Sequence, residues 1–216
     1  MRFEDQRKKM VETQLISRGI TDELVLNSFL KVPRERFVTD EWREYSYKDH
    51  PLSIGFNQTI SQPYIVALMM SLLELKPSDI VLEIGTGCGY QTALLAEIVK
   101  EVYTIERVDE LLINAKKTLK KLEYTNIFYK IGDGCLGWVN AVPIINEFDK
   151  IIISAASPDT PNILLSKLKI NGKLIVPQGD INCQNLMVYE KTKDGLNHQS
   201  NGNCVFVPLI GEGAWD

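Results

Sequence analysis

Cysteine, histidine and long apolar runs are all scarce in this chain. Its 216 residues include four cysteines (Cys88, Cys135, Cys183 and Cys204), none in a Cys-x-x-Cys pair, and two histidines, His50 and His198. No metal cluster and no disulfide framework can be read from such spacing. A basic block is also missing: 24 Lys and Arg stand against 28 Asp and Glu, for a net charge of −4. That argues against a large nucleic-acid footprint. The longest uncharged run, residues 51–73, is interrupted by Ser, Gly, Asn, Gln and Pro. Only residues 64–73 are nearly all apolar, too short a stretch to span a bilayer. The opening residues 1–9 are charged throughout, unlike a secretory signal, so a reducing cytoplasm is the expected setting. Repeats, low-complexity segments and Pro/Gly/Ser-rich linkers are absent as well.

What the chain does have is a strand, a glycine turn and a helix in succession. Residues 80–84 (Ile-Val-Leu-Glu-Ile) read as a buried strand. Gly85, Gly87 and Gly89 follow at alternate positions, and good helix formers run from Gln91 to Lys100. Glycines there let a backbone approach a ligand, and the helix start offers unpaired N–H groups. The Gly-x-Gly-x-Gly spacing, with Glu83 just ahead, departs from the dinucleotide pattern Gly-x-Gly-x-x-Gly. On the turn alone, a βα connection without a ligand stays open.

Around it, strands and helices alternate. Strands are expected at 102–106, 127–131, 150–154 and 173–177, with helices at 108–122 and near 162–168. Strands 186–191 and 204–209, with Asp194-Gly195 between them, should close the sheet as an antiparallel hairpin. Alternation of this kind predicts an α/β fold with a mostly parallel, seven-stranded sheet flanked by helices. Upstream, residues 3–31 read as two helices, the first stopped by Gly19, the second capped by Thr21 and ended by Pro33. A short helix is expected within 34–47, a long ordered loop over 49–62, and a helix over 63–75. Residues 1–59 form an N-terminal helical extension with a loop, packed on a main domain of residues 60–216 as one compact unit.

Ligands of open α/β sheets bind beyond the carboxyl ends of the strands. Those ends carry Glu83 with the glycines, Glu106-Arg107, Gly132-Asp133-Gly134, and Ser154-Ala155-Ala156. Glu106 lies 19 residues after Gly87. A carboxylate there could accept both hydroxyls of a ribose, or could be a solvated charge beside Arg107. Asp133 could accept an adenine amine, or simply close an Asp-Gly turn. Ser61, at the end of the long loop, could cap the next helix or face a substrate. Cys88 lacks a His partner and is not expected to be a nucleophile.

Four blocks then carry a resemblance: Gln58-Thr-Ile-Ser-Gln-Pro63, Val81–Ala93, Gly132-Asp-Gly134 and Phe148–Ala156. Val32–Phe37 and Phe206–Leu209 fit too. Over nearly its whole length the chain resembles the protein-L-isoaspartate (D-aspartate) O-methyltransferases. The glycine block alone identifies only an S-adenosylmethionine (SAM) methyltransferase; Thr-Ile-Ser-Gln-Pro is the specific part. The resemblance implies a Rossmann-like methyltransferase fold, SAM as methyl donor, no metal, and isoaspartyl residues of damaged proteins as partners, with a monomeric enzyme. It places Glu83, Gly85, Thr86, Gly87 and Gly89 along the methionine and ribose end of SAM. Glu106, with Arg107 beside it, would hold the ribose hydroxyls, and Asp133 and Gly134 the adenine. Thr59 and Ile60 would close over the cofactor, Ser61 would be the active-site hydroxyl, and residues 206–209 would help form a peptide groove. Cys88, Asn171-Gly172 and Val205 depart from the usual pattern, where Ser, Gly-Gly and Arg are frequent; the last could alter peptide preference. Competing expectations are a SAM methyltransferase for a carboxylate of one dedicated protein, a non-catalytic nucleotide-binding module, and an NAD-dependent oxidoreductase.

Overall fold

The computed structural model describes residues 2–215. Its centre is a seven-stranded sheet built from β3 (Ile80–Ile84), β4 (Glu101–Glu106), β5 (Ile127–Ile131), β6 (Phe148–Ile153), β7 (Leu168–Gly179), β8 (Gln184–Lys191) and β9 (Leu196–Cys204), in the order β5-β4-β3-β6-β7-β8-β9. The first five of these are parallel and β8 and β9 antiparallel. A small antiparallel hairpin, β1 (Leu52–Gly55) and β2 (Gln58–Ile60), precedes the sheet. The α-helices among the described residues are α1 (Phe3–Met10), α2 (Glu23–Lys31), α3 (Pro63–Leu72), α4 (Tyr90–Ala96), α5 (Asp109–Lys121) and α6 (Asn162–Ser166).

The period-two rule of strands divides the core into two layers. Val81, Val102, Ile152 and Ile175 pack with the N-terminal helices, α3, α4 and α5. Leu82, Ile84, Ile105, Ile151, Ile153, Leu174 and Val176 face the other way, with Trp138 and Leu164. Glu83 therefore shares the first face with Thr104, its register partner on β4. The N-terminal extension lies on that same face: Phe29 meets the Tyr90 ring edge-on at 6.0 Å, and Met10, Val11 and Leu15 are fully buried there.

The chain winds β3-β4-β5 to one side and β6-β7 to the other, so β3 and β6 are neighbours at the switch point. A crevice forms outside their carboxyl ends.

Several local expectations are corrected. Asp22, not Thr21, caps α2, accepting from Leu24 N at 2.9 Å and Val25 N at 3.1 Å; its carboxylate oxygen, one position later, reaches two of the orphan donors. The loop over 49–62 contains the β1–β2 hairpin. Phe56 and Asn57 both have positive φ (54° and 55°), the mirror-image turn that matches strand twist. The last strand is β9, ending where the sequence expectation began it. Residues 197–203 are all polar apart from Gly202 and form an exposed edge, so no apolar alternation marks them. The apolar residues after Cys204 instead cross the strand ends: Ala156 N donates to Val207 O and Leu209 N to Ala156 O, both at 2.8 Å.

Candidate active site

The crevice at the switch point is a cavity of about 980 Å³, its open mouth included. That suits a nucleoside-sized ligand and is far larger than a bare anion needs. Thr59, Ile60, Ser61, Gly85, Thr86, Gly87, Glu106, Arg107 and Gly134 all line it. A second hollow, a groove of about 1330 Å³, runs beside it between α3, the β9 end and residues 205–207. Thr59, Ser61, Ser154 and Val207 line both.

Glu106 is the fixed anion of the cavity. Its carboxylate accepts from Gly87 N at 2.8 Å, Arg107 N at 2.8 Å and Val108 N at 3.0 Å. Three backbone donors hold its orientation, two on Oε1 and one on Oε2, and leave one acceptor site on Oε2 open. Gly87 takes φ +55°, and a Cβ there would lie 3.4 Å from Ile54 Cδ1. The β1–β2 hairpin thus folds over the glycine turn. Ser61 caps nothing: Gln62 is the α3 N-cap residue and no side chain closes that helix end. The Ser61 backbone carbonyl accepts from Arg34 Nη2 at 2.8 Å.

Three expected contacts do not line the cavity. Glu83 lies behind its wall, fully buried, accepting from Gln91 Nε2 (3.0 Å), Thr92 Oγ1 (2.5 Å) and Thr104 Oγ1 (2.7 Å). Burial pushes its pKa up to about 7, although the three donors pull the other way. Gly89 begins α4 with φ +89°, and a Cβ there would sit 3.0 Å from Leu119 Cδ1 and 3.2 Å from Ala115 Cβ. Its role is the close packing of α4 on α5. Asp133 accepts from Cys135 N and Glu212 N, each at 2.8 Å, and so pins the C-terminal residues. Its neighbours Gly132 and Gly134 line the cavity; a Cβ on Gly134 would lie 2.3 Å from Ile84 Cγ2. Cys88 lines the wall, where burial pushes its thiol up to about 11, away from nucleophilic use.

Sequence reasoning passed over Gln91, which links Glu83 to Ser154 Oγ (2.7 Å). Its position in the first turn of α4, eight residues after an acid on the preceding strand, was the available signal. Arg34 was also missed as a site residue; a cation following Pro33 gives no sign that it will be fully buried. Among the described residues, no group of three or more His, Cys, Asp or Glu side chains converges as a metal would require.

The geometry has close counterparts among known proteins. The family model described as "Protein-L-isoaspartate(D-aspartate) O-methyltransferase" matches residues 5–214. A protein-L-isoaspartate O-methyltransferase of Petrotoga mobilis is 52% identical over 216 residues, covering 100% of both chains. One from Pelotomaculum thermopropionicum is 50% identical over 211 residues, covering 97% of this chain and 90% of that one. The crystal structure of a putative protein-L-isoaspartate O-methyltransferase from Plasmodium falciparum, in complex with S-adenosyl-L-homocysteine, superposes with a TM-score of 0.82 at 28% identity, covering 94% of this chain and 98% of that one. With an α/β sheet open at its switch point, a pinned Glu106 over the glycine turn, and a family match along almost its whole length, this chain belongs to the protein-L-isoaspartate (D-aspartate) O-methyltransferase family.

Proposed function

We propose that the chain methylates, with SAM as donor, the free α-carboxylate of L-isoaspartyl residues and the β-carboxylate of D-aspartyl residues in aged proteins, opening their repair through a succinimide. The observation that carries this reading is the meeting of two hollows at Ser61. One is shaped for a nucleoside; the other is an open groove that a peptide could occupy.

The cavity's own residues fit the donor. Glu106 offers a ribose diol a carboxylate already oriented by three N–H groups. Gly85 and Gly87 keep the wall free of side chains, and Thr59 and Ile60 close it from the hairpin. Gly134 would lie along the adenine. Asp133 keeps unused lone pairs on both oxygens, enough for an exocyclic amine at the rim. Bound SAM supplies a methyl group made electrophilic by its sulfonium.

The acceptor carboxylate is ionised at pH 7, its ordinary pKa being roughly 3.5–4. No residue of the chain has to remove a proton, which agrees with a site that holds no histidine. What the chain supplies is position. Ser61 donates one hydrogen bond to the acceptor, worth about 1.5–3 kcal/mol because the partner is charged. Aligning the reacting atoms contributes on the order of 7–11 kcal/mol at most. In this reading the enzyme is a monomer and works in the cytoplasm, a setting that suits four free cysteines.

The test is Ser61→Ala. Turnover of an isoaspartyl peptide should fall while SAM affinity, measured by calorimetry, stays within about twofold; equal loss of both would remove Ser61 from the acceptor side.

A further inference from the structure

Ser154 immediately follows β6 and lines both the cavity and the groove, as Ser61 does. Its Cβ lies 3.6 Å from where a Cβ on Gly85 would stand, which puts it beside the glycine turn that follows β3.

The direction of its hydrogen bonds can be worked out from the buried carboxylate outward. Glu83, when ionised, accepts only. Gln91 must therefore turn its NH₂, not its oxygen, toward Glu83 Oε1 (3.0 Å). The same nitrogen has one proton left, and it reaches Ser154 Oγ at 2.7 Å. Ser154 is thus an acceptor toward Gln91, and its own proton is free to point into the hollow. The second branch from Glu83 has the opposite result. Thr104 gives its proton to Glu83 Oε2 (2.7 Å), so Thr86 gives its own to Thr104 (2.6 Å). One carboxylate leaves a donor at Ser154 and only acceptor capacity at Thr86, which lines the cavity alone.

We propose that Ser154 is a second substrate-contacting hydroxyl: it donates to the acceptor carboxylate together with Ser61, and Gln91 and Glu83 are positioning residues that fix it as a donor. The two serines would hold the two oxygens of one carboxylate. This rests on the reading of Ser61 given above.

The experiment compares the protein with Ser61→Ala, Ser154→Ala, Ser154→Thr, Gln91→Leu and the double variant Gln91→Leu/Ser154→Ala. It is run at pH 8.5, above the value of about 7 for Glu83, so that the carboxylate is ionised. Peptide kcat/KM is measured at saturating SAM and SAM affinity by calorimetry. Ser154→Ala should lower kcat/KM about tenfold, as loss of a bond to a charged acceptor does. SAM affinity should stay within about twofold, which also reports an intact fold. Ser154→Thr should recover most of the activity, because the hydroxyl returns. Gln91→Leu should cost activity alone but add little once Ser154 is alanine. Unchanged kcat/KM in Ser154→Ala, or a loss confined to SAM affinity, overturns the proposal. If Ser61→Ala is impaired and Ser154→Ala is not, this inference alone fails. If Ser61→Ala keeps full activity, the reading of the site fails and takes this inference with it.

Discussion

Arg34 Nη2 donates to the backbone carbonyl of Ser61 at 2.8 Å, across 27 residues of sequence. The same guanidinium donates through Nε to Ser46 O at 2.7 Å and lies over the Tyr90 ring, 4.8 Å from its centroid. Its side chain is fully buried. One cation thus ties the N-terminal extension, the start of α4 and the active-site loop together. Burying a charge is costly, so this tie stabilises less than its bonds suggest, but it is directional.

Arg34→Met should therefore affect function more than its distance from the cavity would suggest. Two carbonyls lose a donor and Ser61 loses its anchor. A fall in peptide kcat/KM of about tenfold is expected, with a smaller change in SAM affinity. Steady-state kinetics on the folded variant decide it; wild-type kcat/KM would mean that Ser61 is held by other contacts.

Glu106→Ala should weaken SAM binding by about 10- to 100-fold, the range for losing a charged acceptor. Gly87 N, Arg107 N and Val108 N would lose their partner at the same time, so thermal stability should fall too. Calorimetry showing unchanged SAM affinity would refute the ribose contact.

Glu83 makes stability depend on pH with a definite sign. Its folded pKa is about 7 against an ordinary 4.5, raised by burial. The folded state therefore holds the proton more tightly than the unfolded chain. This contribution is fully present below about pH 4.5 and is lost as pH rises to about 7, a change on the order of 3 kcal/mol. Urea unfolding from pH 4.5 to 8 should show that decline in the wild type and not in Glu83→Gln. Parallel profiles for the two would contradict it.

Gly89 and Gly87 should separate in their effects. Gly89→Ala puts a Cβ 3.0 Å from Leu119 Cδ1 at φ +89°, and should cost about 1–3 kcal/mol of stability. Its SAM affinity should stay near wild type wherever it is folded. A large loss of affinity at unchanged stability would return Gly89 to the ligand.

Much of this was legible because strand chemistry is local. The run Ile80–Ile84, the glycines after it and the acid ending β4 announce a strand, a turn and a neighbouring strand end without help from the rest of the chain. What the residues alone could not say is how far along the sheet, relative to the cavity, a side chain falls. Glu83 and Glu106 are both acids on adjacent strands, and only their registers put one behind the wall and the other in the cavity. Asp133 likewise depends on Glu212 N, 79 residues away in sequence. The β9 edge is not legible because an exposed strand needs no apolar alternation, and the apolar segment after it points to 204–209, of which only Cys204 belongs to β9.

The most direct measurement is methylation of one peptide made in two forms, with an isoaspartyl or a normal aspartyl linkage, using labelled SAM and a sequence unrelated to any single partner. The account predicts transfer to the isoaspartyl form and little or none to its aspartyl twin. Equal labelling of both, or of neither, would contradict it and point to a methyltransferase dedicated to another carboxylate.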